Sequence, residues 1–170
     1  MQTIISVDKV SLNIPIEFIF WGFVIAYVIH ILEESTLAEI FVDKVKSNFW
    51  PDYSWKHFFG FNTILLLLNI IAVVLFDAFR GAWVILPLSL SVERNLNGIW
   101  HLGETIVTKK YSSGLLASVI TWILMYFIIR YSILTGQLSI NYVIISFVIG
   151  FLITVLMFSS LISFRRKYMK

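Results

Sequence analysis

The sequence predicts an all-α fold: a polytopic membrane bundle of five transmembrane helices, with a further amphipathic helix lying in the interface. Three observations predict it. Hydrophobic residues make up 59% of the 170, and the mean hydropathy is +0.88. Charged residues make up only 14%, against about 25% in soluble domains. A bilayer core takes about 20 apolar residues per helix, and the chain divides into five such runs separated by short polar breaks. Residues 1–170 read as one transmembrane domain, with no room for a water-soluble domain beside the spans.

Residues 1–13 are mixed in character and are expected at the surface. The first span is expected over residues 14–34. No basic region precedes it and it is too long for a signal peptide, so it reads as a retained span. Pro15 suits the first turn of a helix, where its missing N–H is no loss. Residues 36–57 are too polar to cross. Leu37, Ile40, Phe41 and Val45 recur at helical spacing, and the aromatics and lysines suit an interfacial helix ended by Pro51. The second span covers residues 58–76, interrupted by Asn62 and Asn69.

The third span, residues 82–107, is the unusual one. It carries Glu93, Arg94, Asn95, Asn97, His101 and Glu104. It is expected to be a buried helix whose polar side lines the interior. Glu93 and Arg94 are adjacent, so their side chains are expected to diverge and to pair with groups on other helices. Gly98 and Gly103 are expected to let a neighbouring helix approach closely. Spans over residues 115–134 and 140–164 follow, the last stopped by Arg165, Arg166 and Lys167.

The basic residues give an orientation. Lys44, Lys46, Lys56, Lys109, Lys110, Arg165, Arg166, Lys167 and Lys170 fall on one side of five spans; only Lys9, Arg80 and Arg130 fall on the other. The expected arrangement is a cell membrane, the plasma membrane, with the N-terminus outside and the C-terminus cytoplasmic. The net charge of +3 is thus a topology signal. Membrane lipids are the expected partners, nucleic acid is not, and a homo-oligomer remains open. The absence of cysteine excludes disulfides, thiolate metal sites and a cysteine nucleophile.

With that orientation, depth follows at about 1.5 Å per residue. His30, Glu33 and Glu34 close the first span at the cytoplasmic boundary. His101 and Glu104 close the third at the same level, and Asn62 lies just inside the start of the second. At about 100° per residue, each polar set occupies one side of its helix. Ionisable groups at membrane depth are costly and are functional by default. His30–Glu33 and His101–Glu104 share an i, i+3 spacing that lets imidazole and carboxylate chelate one ion. Nitrogen ligands favour a divalent transition metal such as Zn, Fe or Mn over Ca or Mg. The expected ligands are His30, Glu33, Glu34, His101 and Glu104, and the expected catalytic groups are Glu33, Glu34 and His101. Asn62, Asn69, Glu93, Arg94 and Asn97 are expected to orient ligands or substrate. No organic cofactor is suggested.

The chain resembles a family of small uncharacterised membrane proteins known for a His-x-x-Glu-Glu motif, a second histidine and a Tyr-x-Pro-Gly turn. His30, Glu33 and Glu34 match the motif, His101 the second histidine, and Tyr111-Ser112-Ser113-Gly114 the turn, with Ser113 in place of proline. The resemblance covers residues 18–134 and implies a membrane protein without naming a reaction. A weaker likeness, to intramembrane glutamic proteases of the CAAX-processing type, would use Glu33-Glu34, His101 and Asn97, but the arginine that follows the acid pair there is absent.

Three functions stand beside one another. The first is a metal-dependent membrane enzyme, hydrolase or oxidoreductase, acting on a lipid or amphipathic substrate. The second is a metal-free glutamate/histidine hydrolase. The third is a proton- or cation-coupled carrier or binding protein, against which five spans without a repeat argue unless the chain dimerises.

Overall fold

The computed structural model describes residues 15–36, 41–136 and 138–168, apart from the side chains of residues 133–135, 164 and 168. The described residues form six α-helices and no strand. These are α1 (Ile16–Thr36), α2 (Phe41–Asn48), α3 (Trp55–Phe79), α4 (Ile85–Thr108), α5 (Leu115–Thr135) and α6 (Ile140–Tyr168), with a 3₁₀ turn, Gly81–Val84, leading into α4. The N-terminal surface segment, together with Leu37 and Ile40 of the interfacial run, lies outside the described residues.

Helices α1, α3, α5 and α6 are each long and apolar enough to cross a membrane. Helix α4 is long enough, but its charges set it apart from those four. It is nonetheless the centre of the packing, against α6, α5, α3 and α1. Its polar residues go inward: Ser89, Ser91, Glu93, Arg94 and His101 are buried. The other helices turn large apolar side chains outward, among them Ile64, Leu67, Phe147 and Leu156. That is the distribution expected where the surroundings are hydrocarbon as well as the core.

Close packing of α4 relies on small residues. A Cβ on Gly150 of α6 would stand 2.5 Å from the Ser89 carbonyl oxygen, and one on Gly98 would stand 2.8 Å from Ser118 Cβ of α5. Gly98 therefore permits the approach expected of it. Gly103 does not: a Cβ there meets nothing within 4 Å. It borders an open groove of about 650 Å³ beside Trp100 and Phe158.

The Glu93–Arg94 expectation is also corrected. The two side chains pair with each other, Nε to Oε2 at 2.5 Å and Nη2 to Oε1 at 2.5 Å. The arginine side chain is long enough to fold back across one residue, and a buried two-point pair leaves neither charge uncompensated.

The interfacial run is helical over Phe41–Asn48 among the described residues. Its helix ends at Asn48, before Pro51, and Val45 O accepts from both Phe49 N and Trp50 N. Val42 and Val45 join Tyr53 and Phe58 in a small apolar cluster against Ile31 and Leu161. The segment is thereby folded onto the end of α1.

Helix direction sorts the polar groups into two ends. At one end α1 and α4 finish while α3 and α5 begin. At the other, Arg80 pairs with Glu17 and lies 3.8 Å from Asp77. Between them lies the apolar core, where Phe20 meets Phe76 edge-on at 5.5 Å.

Candidate functional site

His30 and Glu34 are i, i+4 on α1, so their side chains stand one above the other. His30 Nε2 lies 3.3 Å from Glu34 Oε1. The last turns of α4 bring His101 Nε2 to 3.7 Å from the same oxygen. The two imidazoles meet edge to face at 5.1 Å. One ligand atom from each of the three residues lies within 4.8 Å of the others, and all three residues are buried. Donors around a tetrahedral zinc sit about 3.4 Å apart, given bonds of about 2.1 Å, so the two Glu34 contacts already have that scale. Two imidazoles and one carboxylate form the donor set of open, catalytic zinc sites and of non-haem iron sites.

A glycine makes room for the trio. Gly114, just before α5, has φ +105°, a conformation L side chains rarely adopt. A Cβ there would stand 2.7 Å from His101 Nε2 and 2.7 Å from His30 Cε1. Any other residue at this position would put its side chain into both imidazoles.

Glu33 faces another way. Its carboxylate accepts from Leu116 N at 3.0 Å, from Ala117 N at 2.9 Å, and from the Tyr111 hydroxyl. Those N–H groups belong to the first turn of α5, where a helix has no acceptor of its own. Gly114, the N-cap residue, has no side chain to supply one. Glu33 is therefore the cap of a helix 83 residues away, and its charge suits that helix's positive end. The imidazole–carboxylate contact within α1 is the i, i+4 pair and not the i, i+3 pair that the spacing suggested.

Glu104 also stands outside the trio. It pairs with Lys44 of α2 and accepts from Ser112 Oγ at 2.5 Å. Ser112 Oγ in turn lies 3.0 Å from His101 Nδ1. Asn97 Oδ1 is 3.1 Å from His101 Nε2. Asn62 accepts the Tyr27 hydroxyl at 2.6 Å and donates to Phe58 O, one turn back on its own helix. Tyr27 lies between His30 and the Glu93–Arg94 pair: its ring stacks 6.2 Å from His30, and the Arg94 guanidinium covers it at 4.6 Å. Asn69 donates to Leu65 O on α3, away from the trio's own contacts.

Two phenols outside the spans report on the carboxylates. Burial, and then the hydrogen bond to Glu33, pushes the Tyr111 phenol above its ordinary range. Burial, with the negative Glu34 beside it, does the same to Tyr53.

A family model described as "Protein of unknown function with HXXEE motif" matches residues 21–129. The chain belongs to that family. The HXXEE match spans every residue of the site, from His30 to Gly114, and most of four long helices. No curated protein and no solved structure matches the chain. The HXXEE motif itself divides its labour here: His30 and Glu34 face His101, while Glu33 holds α5. Lys44, Ser112, Gly114, Tyr27 and Tyr111 complete the surroundings. The spacing of His30 and His101 gave no sign of them, and only the Tyr-x-x-Gly turn hinted at the last group.

Proposed function

We propose that this HXXEE-family protein spans the plasma membrane five times, N-terminus outside and C-terminus cytoplasmic, and binds one divalent transition metal (Zn, Fe or Mn) at His30, Glu34 and His101. In this reading it is a membrane enzyme, hydrolase or oxidoreductase, acting on a lipid or amphipathic substrate near the cytoplasmic headgroups. The observation that carries it is the buried trio, with ligand atoms within 4.8 Å of one another. An ion with three protein ligands keeps a position open for water or substrate. Helix α4 serves as the fifth span because its charges are compensated inside the bundle. Glu33 and Glu104 act as supports of the trio, by capping α5 and by holding Ser112.

One observation favours a second reading. Glu34 Oε1 lies between both imidazoles, at 3.3 and 3.7 Å, an arrangement that also suits a carboxylate activating water without a metal. The carrier reading draws less support, since Glu93 and Arg94 satisfy each other and Asn69 is bonded to its own helix.

The deciding measurement is elemental analysis of protein purified in detergent without chelator. About one ion per chain is expected, lost on replacing His101 by alanine. A wild-type protein carrying no stoichiometric metal overturns the metal reading, and chelator-insensitive hydrolysis selects the second. Because the chain has no cysteine, single cysteines at positions 80 and 110 report orientation by labelling from either side.

A further inference from the structure

We propose that Ser112 is a positioning residue: it fixes the proton of His101 on Nδ1, so that Nε2 is the nitrogen His101 presents to His30 and Glu34. The proposal deepens the metal reading above and rests on it for its consequence, though not for its geometry.

The argument is a count of protons. Glu104 is paired with Lys44 and, as a carboxylate, can only accept. The Ser112 hydroxyl has one proton, and at 2.5 Å from Glu104 Oε2 that proton belongs to the carboxylate contact. Ser112 Oγ can then only accept from His101 Nδ1 at 3.0 Å. Nδ1 must therefore carry hydrogen, and a neutral His101 has its lone pair on Nε2, 3.7 Å from Glu34 Oε1. Asn97 fits either charge state. Its Oδ1, 3.1 Å away, accepts from Nε2 of an imidazolium, and a half-turn of the amide presents Nδ2 to the neutral ring.

The serine is itself held in place. Ser112 N donates to Thr105 Oγ1 at 3.1 Å, and Thr105 Oγ1 donates to His101 O at 2.9 Å. The turn and the final turns of α4 are thus tied at two points around the imidazole. The whole row, Lys44–Glu104–Ser112–His101, has the form by which an outer carboxylate orients a metal-bound histidine, with a hydroxyl inserted between them. It also links the buried ring to α2, since Lys44 comes from the short helix folded over the end of α1.

The test is nitrogen-15 NMR of histidine-labelled, metal-free full-length protein in detergent, with His101→Gln to assign the signal. Wild type is expected to show the Nδ1–H tautomer, and Ser112→Ala a mixture. Two substitutions at Glu104 separate tautomer control from general loosening, since both remove the charge that faces Lys44. Glu104→Gln keeps an oxygen to accept from Ser112 and retains Nδ1–H. Glu104→Leu frees the hydroxyl to donate to Nδ1 and switches the ring to Nε2–H. An Nε2–H signal in wild type, or identical spectra from the two variants, overturns the proposal. Zinc titration then reads the consequence. Ser112→Ala and Glu104→Leu weaken binding by about 10–100-fold, as loss of an outer partner does, and Glu104→Gln by less. Zinc that fails to bind a wild type showing Nδ1–H counts against the metal reading alone and leaves the role of Ser112 supported.

Discussion

The two ends of the bundle use the same kinds of residue for different ends. At one, Glu17, Asp77 and Arg80 form an ion-pair group whose arginine side chain is 54% exposed. At the other, Glu33, Glu34, His30 and His101 are each no more than 6% exposed. The exposed arginine opens the first group to solvent, so the net worth of its ion pairs is small. Burial removes the second from water, so each oxygen and nitrogen needs a designated partner. Charge near a helix end is therefore a weak indication of function; charge near a helix end that the fold has enclosed is a strong one.

Paired substitutions at the two ends sharpen this contrast. The largest difference is expected between Glu34→Gln and Glu17→Gln. The first should reduce zinc affinity by more than about 100-fold, because outer partners alone account for 10–100-fold, and the second should leave it unchanged. Calorimetric titration in detergent measures both. Equal affinities would remove the distinction between the ends.

Next in size is glycine to alanine. Gly114 and Gly81 both have positive φ, but a Cβ on Gly81 meets nothing within 4 Å, whereas one on Gly114 meets both imidazoles. Gly81→Ala should cost about 1 kcal/mol from backbone strain alone. Gly114→Ala adds overlap to strain and should cost about 3 kcal/mol or more. Unfolding in mixed micelles compares them.

A smaller effect is expected at Glu33. Glu33→Gln weakens the cap on α5 and should cost about 1–2 kcal/mol. Arg80→Gln at the exposed end should cost less than about 1 kcal/mol. Metal stoichiometry should survive both, which separates the two glutamates of the motif.

The smallest effect is a pH dependence. The Tyr111 phenol is raised in the folded protein, first by burial and then by its bond to Glu33. The folded state thus favours the protonated phenol. Its contribution is complete below the unfolded value of about 10 and declines as pH rises through the folded one. Tyr111→Phe should flatten the alkaline limb of a stability–pH curve, and an unchanged limb would assign it to other groups.

Helices α1, α3, α5 and α6 were legible because each is a long apolar run, and each lies within a few residues of its expected place. His30, Glu34 and His101 were legible too, since depth along a helix can be counted from sequence. Their partners were not. Whether Glu33 or Glu34 faces His101 depends on where α5 begins in space, and neither spacing nor arc settles it. Ser112 and Lys44 lie in a turn and a short helix whose placement is decided by tertiary contacts such as Val45 on the end of α1. Glu93 and Arg94 misled because angular separation describes Cα–Cβ directions, while a guanidinium sits far enough out to curl back. Asn62 read as a ligand-orienting residue, yet it takes the hydroxyl of Tyr27, a contact with no signature in either helix alone.

Gly150 carries a consequence for biogenesis. In the five-span arrangement, α4 is the segment that would leave a translocon least readily, since a charge at mid-helix opposes insertion by about 2.5–3.5 kcal/mol. Its backbone rests on Gly150 of α6, a helix that follows α4 and α5 in the chain. In that arrangement α4 would wait for α6 to emerge, and entry into the bilayer would be a joint event of these helices in place of a sequence of independent ones.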